Sequence, residues 1–235
     1  MLDVSKIKAI SLDLDDTLWP IWPVIERAEK ALLDWLSDNA PMTAAMFSSS
    51  TALREIREYM ANVMLKQRPE MRHDLSAIRK ESIRLALYRA KENPLLAEAA
   101  YAAFFAERNR VVLYDDALPA LKALSARYPL VAVSNGNAQL DLVGLQSYFK
   151  ASLSAKAFGA SKPDPSIFAA AANTLGVQAD EVLHIGDDAT LDVLGALGAD
   201  MQAVWLNRED KLWPHEGQAP TVQVQSLSAV CEMVL

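Results

Sequence analysis

Residues 9–20 read AISLDLDDTLWP. The run IKAISLDL over 7–14 is mostly apolar with no polar alternation, which predicts a strand buried on both faces, as in a parallel sheet. It ends in three carboxylates, Asp13, Asp15 and Asp16, within four positions, followed by Thr17. Like charges this close repel one another, so the end of the strand calls for a counter-charge.

Outward from this stretch the texture changes. WPVIERAEKALLDWLSDNA after Ile21 carries apolar residues at helical spacing, and 43–66, 74–92 and 95–109 also read as helices. Residues 20–110 are therefore read as nearly all helical. After Val111 strands and helices alternate. ALPALKALSARY reads as a helix, PLVAVSNG as a strand ending in a turn and 138–146 as a short helix. ASLSA follows as a strand, 165–175 as a helix, EVLHIGDD as a strand with its turn, 189–197 as a helix, MQAVWL as a strand and 226–234 as a last helix. That order implies right-handed parallel crossovers. The expected architecture is α/β: a Rossmann-like parallel-sheet core from 1–17 and 111–235, with an α-helical domain inserted at 18–110.

Composition narrows the function. The 235 residues carry a formal charge of −7, which argues against a nucleic-acid or anionic-membrane partner, since both need a basic surface. One cysteine, Cys231, cannot form an internal disulfide and reads as a small apolar residue of the last helix. The stretch MLDVSKIKAI has no leader character, and no apolar run reaches the roughly 20 residues of a membrane helix. The expectation is a cytoplasmic protein, monomeric or, alternatively, dimeric.

Ligands of an open parallel sheet bind beyond the carboxyl ends of its strands. The first strand ends at Asp13, Asp15, Asp16 and Thr17, and the second at Ser134, Asn135, Gly136 and Asn137. A later one ends at Gly186, Asp187 and Asp188, with Asp192 a helical turn on; GASKPDP places Lys162 in a loop between them. Carboxylates grouped with one lysine, hydroxyls and backbone N–H groups suit a divalent cation such as Mg²⁺ together with a phosphate. A carboxylate about 4 Å from a phosphate dianion is repelled by about 8 kcal/mol at an effective dielectric of 20. A dication and a lysine can offset a term of that size.

DLDDT at 13–17, SNG at 134–136, SKP at 161–163 and GDDATLD at 186–192 resemble, in order and context, the four motifs of the haloacid dehalogenase superfamily of phosphohydrolases. The inserted helices resemble that superfamily's cap placed between motifs one and two. The resemblance implies Asp13 as a nucleophile forming an aspartyl-phosphate, and Asp15 as the group that protonates the leaving alkoxide and then deprotonates water. It implies Mg²⁺ held by the Asp13 and Asp187 carboxylates and the Asp15 backbone carbonyl, with Asp188 and Asp192 behind them. Thr17, Ser134, Asn135 and Lys162 would hold the phosphoryl group.

The dehalogenase branch of the superfamily lacks the second aspartate of motif one, so Asp15 favours a phosphatase; a phosphomutase would share the same motifs. A phospho-accepting receiver or binding module is the non-enzymatic alternative, but it needs no long helical insertion. VSNGNAQLDLVGLQSYF, GASKPDPSIF, EVLHIGDDATLDVLGA and VWLNRED resemble the bacterial flavin-pathway phosphatases, which act on FMN and 5-amino-6-(5-phospho-D-ribitylamino)uracil. Pyrimidine nucleotide 5′-phosphatase and phosphoglycolate phosphatase are the alternatives. Within the insertion, Arg72, His73 and Arg79 are candidate substrate contacts, against the reading of this basic stretch as a solvated helical face. Trp19 and Trp22 are read as packing residues, with stacking on a planar substrate ring as the alternative, Asp16 as a turn former, Asn137 as a helix cap and His184 as a satisfied core histidine. His215 carries no signal.

Overall fold

The computed structural model describes residues 2–217 and 219–235. They form two compact units. One comprises Met1–Pro20, Val112–Gly136 and Gly144–Leu235; the other comprises Ile21–Val111 and Asn137–Val143.

The first unit is built on six parallel strands: β1 (Ala9–Leu12), β2 (Leu130–Ser134), β3 (Ala151–Ser154), β4 (Val182–Gly186), β5 (Gln202–Leu206) and β6 (Val222–Val224). Their order is β3-β2-β1-β4-β5-β6. The chain builds from β1 toward one edge and then returns to β1's other side. This reversal opens a crevice at the carboxyl ends of the central strands. β1, β2 and β4 are buried at every position, as their continuous apolar runs require, while β3 and β6 at the edges are only partly covered. β6 has no counterpart among the sequence expectations: three residues, VQV, are too short for a periodic signal, and pairing with β5 creates the strand.

The second unit contains α1 (Ile21–Asn39), α2 (Pro41–Met46), α3 (Ser50–Gln67), α4 (Leu75–Arg89) and α5 (Ala97–Arg108). In α1, Val24, Ala28, Leu32 and Leu36 recur every fourth residue and form the buried stripe. Ala28, Leu32 and Leu36 pack with Ile83, Leu87, Tyr101 and Phe104 in one apolar core. The helix expected at 43–66 is broken. α2 starts on Pro41, and Ser49 starts α3 afresh by accepting the Ala52 N–H on its hydroxyl.

Helices α6 (Ala117–Arg127), α8 (Ala155–Phe158), α9 (Pro165–Leu175), α10 (Gly195–Leu197) and α11 (Leu227–Val234) belong to the sheet unit, whereas α7 (Leu140–Val143) joins the helical unit. The segment expected as one helix at 138–146 is reduced to this single turn, and Gly144 follows at φ 84°. Residues 137–143 are claimed by the helical unit through side chains. Arg108 Nε donates to Asn137 Oδ1 at 3.2 Å, Asn137 Nδ2 to Ser76 Oγ at 3.3 Å, and the Gln139 N–H to Asn109 Oδ1 at 2.8 Å. Asn137 thus ties elements together where a helix cap was expected. Among the described residues no helix is long and apolar enough to cross a membrane.

Candidate active site

Three strand ends of the sheet unit meet at the switch point. Asp13 follows β1 and continues its ladder, its N–H donating to the Ile185 carbonyl at 3.0 Å. Ser134 closes β2, with its Oγ accepting the Gly136 N–H at 2.9 Å. Gly186 closes β4, and Asp187 and Asp188 come next. Asp13, Asp15, Ser134, Asn135, Lys162, Asp187, Asp188 and Asp192 all line one pocket of about 180 Å³. Thr17 is buried beside it and donates from Oγ1 to Asp187 Oδ1 at 3.3 Å.

Lys162 is the buried cation of the site, with Nζ 2.5 Å from both Asp13 Oδ1 and Asp192 Oδ1. Its backbone is clamped by Asn135. The Lys162 N–H donates to Asn135 Oδ1 at 2.8 Å, and Asn135 Nδ2 donates to the Lys162 carbonyl at 2.9 Å. The Asn135 amide is therefore engaged on both sides, and this pairing places the lysine.

Of the helix expected at 189–197 the last turn, Gly195–Leu197, is regular, and before it, after β4, the backbone enters a π-helical turn, Ala189–Leu194. Such turns recur at functional sites. Asp188 starts it, its Oδ1 accepting the N–H groups of Thr190 at 2.8 Å and Leu191 at 2.7 Å. The turn brings Asp192 back against the end of β4. A Cβ on Gly186 would fall 2.2 Å from Asp192 Cγ, so only glycine leaves room for this carboxylate. Asp192 Oδ1 accepts from Lys162 and from His184 Nε2 at 3.1 Å, and its Oδ2 accepts the Asp188 N–H at 3.0 Å.

Electrostatics sort these groups. Burial raises the Asp13 pKa to about 7, Lys162 opposing and Asp192 adding to the rise. Burial, then Asp192 and Asp13, push Asp187 up to about 8. Burial also disfavours the Asp192 carboxylate, but Lys162 and His184 outweigh it and hold its pKa below the usual range. Burial likewise disfavours the Lys162 ammonium, and Asp13 and Asp192 more than restore it. One lysine thus serves three carboxylates, and Asp13 and Asp187 are left under-compensated.

Carboxylate oxygens of Asp13, Asp187 and Asp192 lie within 4.8 Å of one another. Asp192 has both oxygens occupied by donors, which leaves Asp13 and Asp187 as the carboxylates able to turn to a cation. An all-oxygen donor set short of positive charge fits a hard divalent ion such as Mg²⁺.

The structure also engages residues that the sequence reading left out of the site. Trp19 is fully buried, and its indole N–H donates to Asp15 Oδ1 at 2.8 Å. Trp205 donates from Nε1 to the Asp187 carbonyl at 2.7 Å. Asp16 lies at φ 57° and donates its N–H to the Trp19 carbonyl, consistent with a turn former. Neither indole carries a signal for its bond: Trp19 reads as a packing residue, and Trp205 lies inside an apolar strand 18 positions from Asp187. Trp22 is exposed. Arg72, His73 and Arg79 belong to the helical unit. There Arg72 Nε donates to His73 Nε2 at 2.7 Å. Arg79 is buried over the Phe104 ring and paired with Glu29 at 3.5 Å, which engages it in packing that unit.

The family model for haloacid dehalogenase-like hydrolases matches residues 7–200. The 5-amino-6-(5-phospho-D-ribitylamino)uracil phosphatase YigB of Escherichia coli K12 is 36% identical over 211 residues, covering 88% of this chain and 86% of that protein. The N-acylneuraminate-9-phosphatase of Mus musculus is 27% identical, covering 96% and 93%. Among solved structures, a 2-haloacid dehalogenase from Pseudomonas syringae pv. tomato DC3000 superimposes with a TM-score of 0.89 at 34% identity, covering 97% of this chain and 98% of that one. The match spans the strand ends that line the pocket, from Asp13 to Asp192, and phosphatases recur among the relatives. This chain belongs to the haloacid dehalogenase-like hydrolase family and is a phosphatase within it.

Proposed function

We propose that this phosphatase is Mg²⁺-dependent, works through an aspartyl-phosphate on Asp13, and acts on 5-amino-6-(5-phospho-D-ribitylamino)uracil or FMN in the cytoplasm. The observation that carries the mechanism is the placement of Asp13 at the end of β1, held by Lys162, with Asp15 two residues on in the same pocket. A carboxylate oxygen of Asp13 attacks phosphorus, and the bond from phosphorus to the ester oxygen breaks. Asp15 gives its proton to the departing alkoxide, then takes one from the water that attacks the phosphoenzyme, releasing inorganic phosphate and Asp13. Lys162 and the N–H groups around Gly136 face the phosphoryl oxygens. A bound Mg²⁺, held by Asp13, Asp187 and the Asp15 carbonyl, would neutralise charge on those oxygens.

Asp15 also separates this reading from carbon–halogen cleavage. A halide leaves without a proton, whereas an alkoxide needs one. The likeness to the Escherichia coli phosphatase supports the substrate choice. The test compares, by kcat/KM, phosphate release from FMN, the ribitylaminouracil phosphate, UMP and phosphoglycolate, with chloride release from 2-chloropropionate as the control. A rapid quench should trap an acid-stable, hydroxylamine-labile phosphoenzyme that Asp13→Asn lacks. Halide release without phosphate release would overturn the reaction; a marked preference for UMP or phosphoglycolate would overturn the substrate.

A further inference from the structure

Within the sheet unit one face of the strands is apolar except at its centre. Ala9 on β1, Val131 and Val133 on β2, Val182 on β4, and Ala203 and Trp205 on β5 pack together with Phe168 of α9. Ser11 and His184 interrupt this face, and both are fully buried. They are register partners across the β1–β4 pair, so their side chains emerge side by side on one face. Ser11 Oγ and His184 Nδ1 are 2.8 Å apart, and Phe168 meets the imidazole edge-on with centroids 4.9 Å apart. Two polar residues that only satisfied each other could be exchanged for apolar ones without loss. Here the second imidazole nitrogen is directed elsewhere, 3.1 Å from Asp192 Oδ1.

We infer that His184 is a positioning residue for the phosphoryl-transfer site, acting through Asp192 to fix the Lys162 ammonium on Asp13. The inference rests on the proposed role of Asp13 as nucleophile.

The geometry forms two rungs. The upper one is Asp13, Lys162 and Asp192, with 2.5 Å on each side of Nζ. The lower one is Ser11 and His184, two residues back along β1 and β4 from Asp13 and Gly186 on the same face. Asp192 joins them, through Oδ1. Its ionised Oδ1 needs a donor from His184, so Nε2 carries the hydrogen and Nδ1 accepts from the Ser11 hydroxyl. Burial lowers the His184 pKa, which keeps the ring neutral and this tautomer in place. With Oδ2 taken by the Asp188 N–H, the carboxylate is fixed at both ends, and the lysine has one seat. Without His184, Asp192 can rotate about the Oδ2 bond and take Lys162 with it. The lysine would then lose its alignment with the transferring phosphoryl group more than its affinity for a bound ester.

The test compares His184→Leu, His184→Gln and His184→Asn with wild type on p-nitrophenyl phosphate at saturating Mg²⁺, in wild-type and Lys162→Ala backgrounds, after circular dichroism and thermal unfolding establish folding. A glutamine amide can place an N–H where Nε2 stands; asparagine reaches only to Nδ1. The expected result is a kcat about 10- to 100-fold lower for His184→Leu and His184→Asn with KM within about threefold, and recovery to within about fivefold for His184→Gln. In the Lys162→Ala background the leucine change should cost less than about twofold, because its effect runs through the lysine. Should His184→Leu not fold, the glutamine and asparagine variants make the same comparison. Equal activity of all three variants, equal losses for glutamine and asparagine, or the same fold-loss in both backgrounds would overturn the inference. Failure of wild type to release phosphate would instead overturn the proposed function.

Discussion

Mg²⁺ uptake should displace protons from this site in a number set by Asp13 and Asp187. With pKa values of about 7 and about 8 in the metal-free protein, Asp13 is half protonated at pH 7 and Asp187 about nine-tenths protonated. A cation requires both carboxylates ionised, so binding at pH 7 releases about 1.4 protons, falling to about 0.1 at pH 9. Apparent Mg²⁺ affinity should correspondingly rise about a thousandfold between pH 6 and pH 9. Isothermal titration calorimetry in buffers of different ionisation enthalpy counts the protons directly. Asp187→Asn should reduce both the release and the affinity. Stability carries the same signature. Both folded pKa values lie above the unfolded value of 3.8. The folded, metal-free protein therefore binds the extra protons, and the stability they confer is full below about pH 4 and is lost as pH rises to about 8. His184 works in the opposite sense, since its pKa lies below 6.5 and the unfolded chain protonates first on acidification. The two carboxylates together lose about 4 kcal/mol of stability between pH 6 and pH 8, His184 offsets part of it, and saturating Mg²⁺ should abolish the carboxylate contribution. Proton release below about 0.3 throughout pH 6–9, or an affinity independent of pH, would refute the reasoning.

Asp13→Asn should lower phosphate release by at least about a thousandfold while the circular dichroism spectrum is retained, because an amide can accept from Lys162 but is neither a nucleophile nor an anion. Trp19→Phe keeps an aromatic ring at this buried position and removes the pyrrole half of the indole, and with it the N–H that holds Asp15. It should slow alkyl phosphates about tenfold and p-nitrophenyl phosphate less than twofold, since only the poorer leaving group needs the proton; equal slowing of both esters would count against that role. Gly186→Ala places a methyl carbon 2.2 Å from Asp192 Cγ, which is pinned by three donors. It should destabilise the fold by about 3 kcal/mol, and a melting temperature within about 2 °C of wild type would contradict the packing described.

How much of this was legible in advance follows from the range of each interaction. Strands buried on both faces announce themselves as apolar runs, and helices as stripes repeating every three or four residues, so β1, β2, β4 and α1 needed only local sequence. The polar groups at those strand ends were equally local: Asp13, Ser134 and Asp187 each follow an apolar run directly, and the rule for parallel sheets gathers them at one edge. Signals weaker than a helical turn were lost. β6 exists through its pairing with β5, and the π turn at Ala189–Leu194 keeps the composition of an ordinary helix.

The division of labour inside the site was beyond local reading. Asn135 reads from its motif as a phosphoryl ligand, and its amide pairs with the backbone of Lys162, 27 positions later. His184 meets Ser11 across 173 positions, and Asp192 is saturated by donors from three separate segments. Sequence by itself determined which chemical groups stand at the strand ends, because strand and motif are contiguous. Only the tertiary structure decided which of those groups turn inward to hold one another and which keep a free oxygen for a ligand. A hydrogen bond is satisfied by whatever donor the packing brings within about 3 Å, and chain spacing carries no record of that distance.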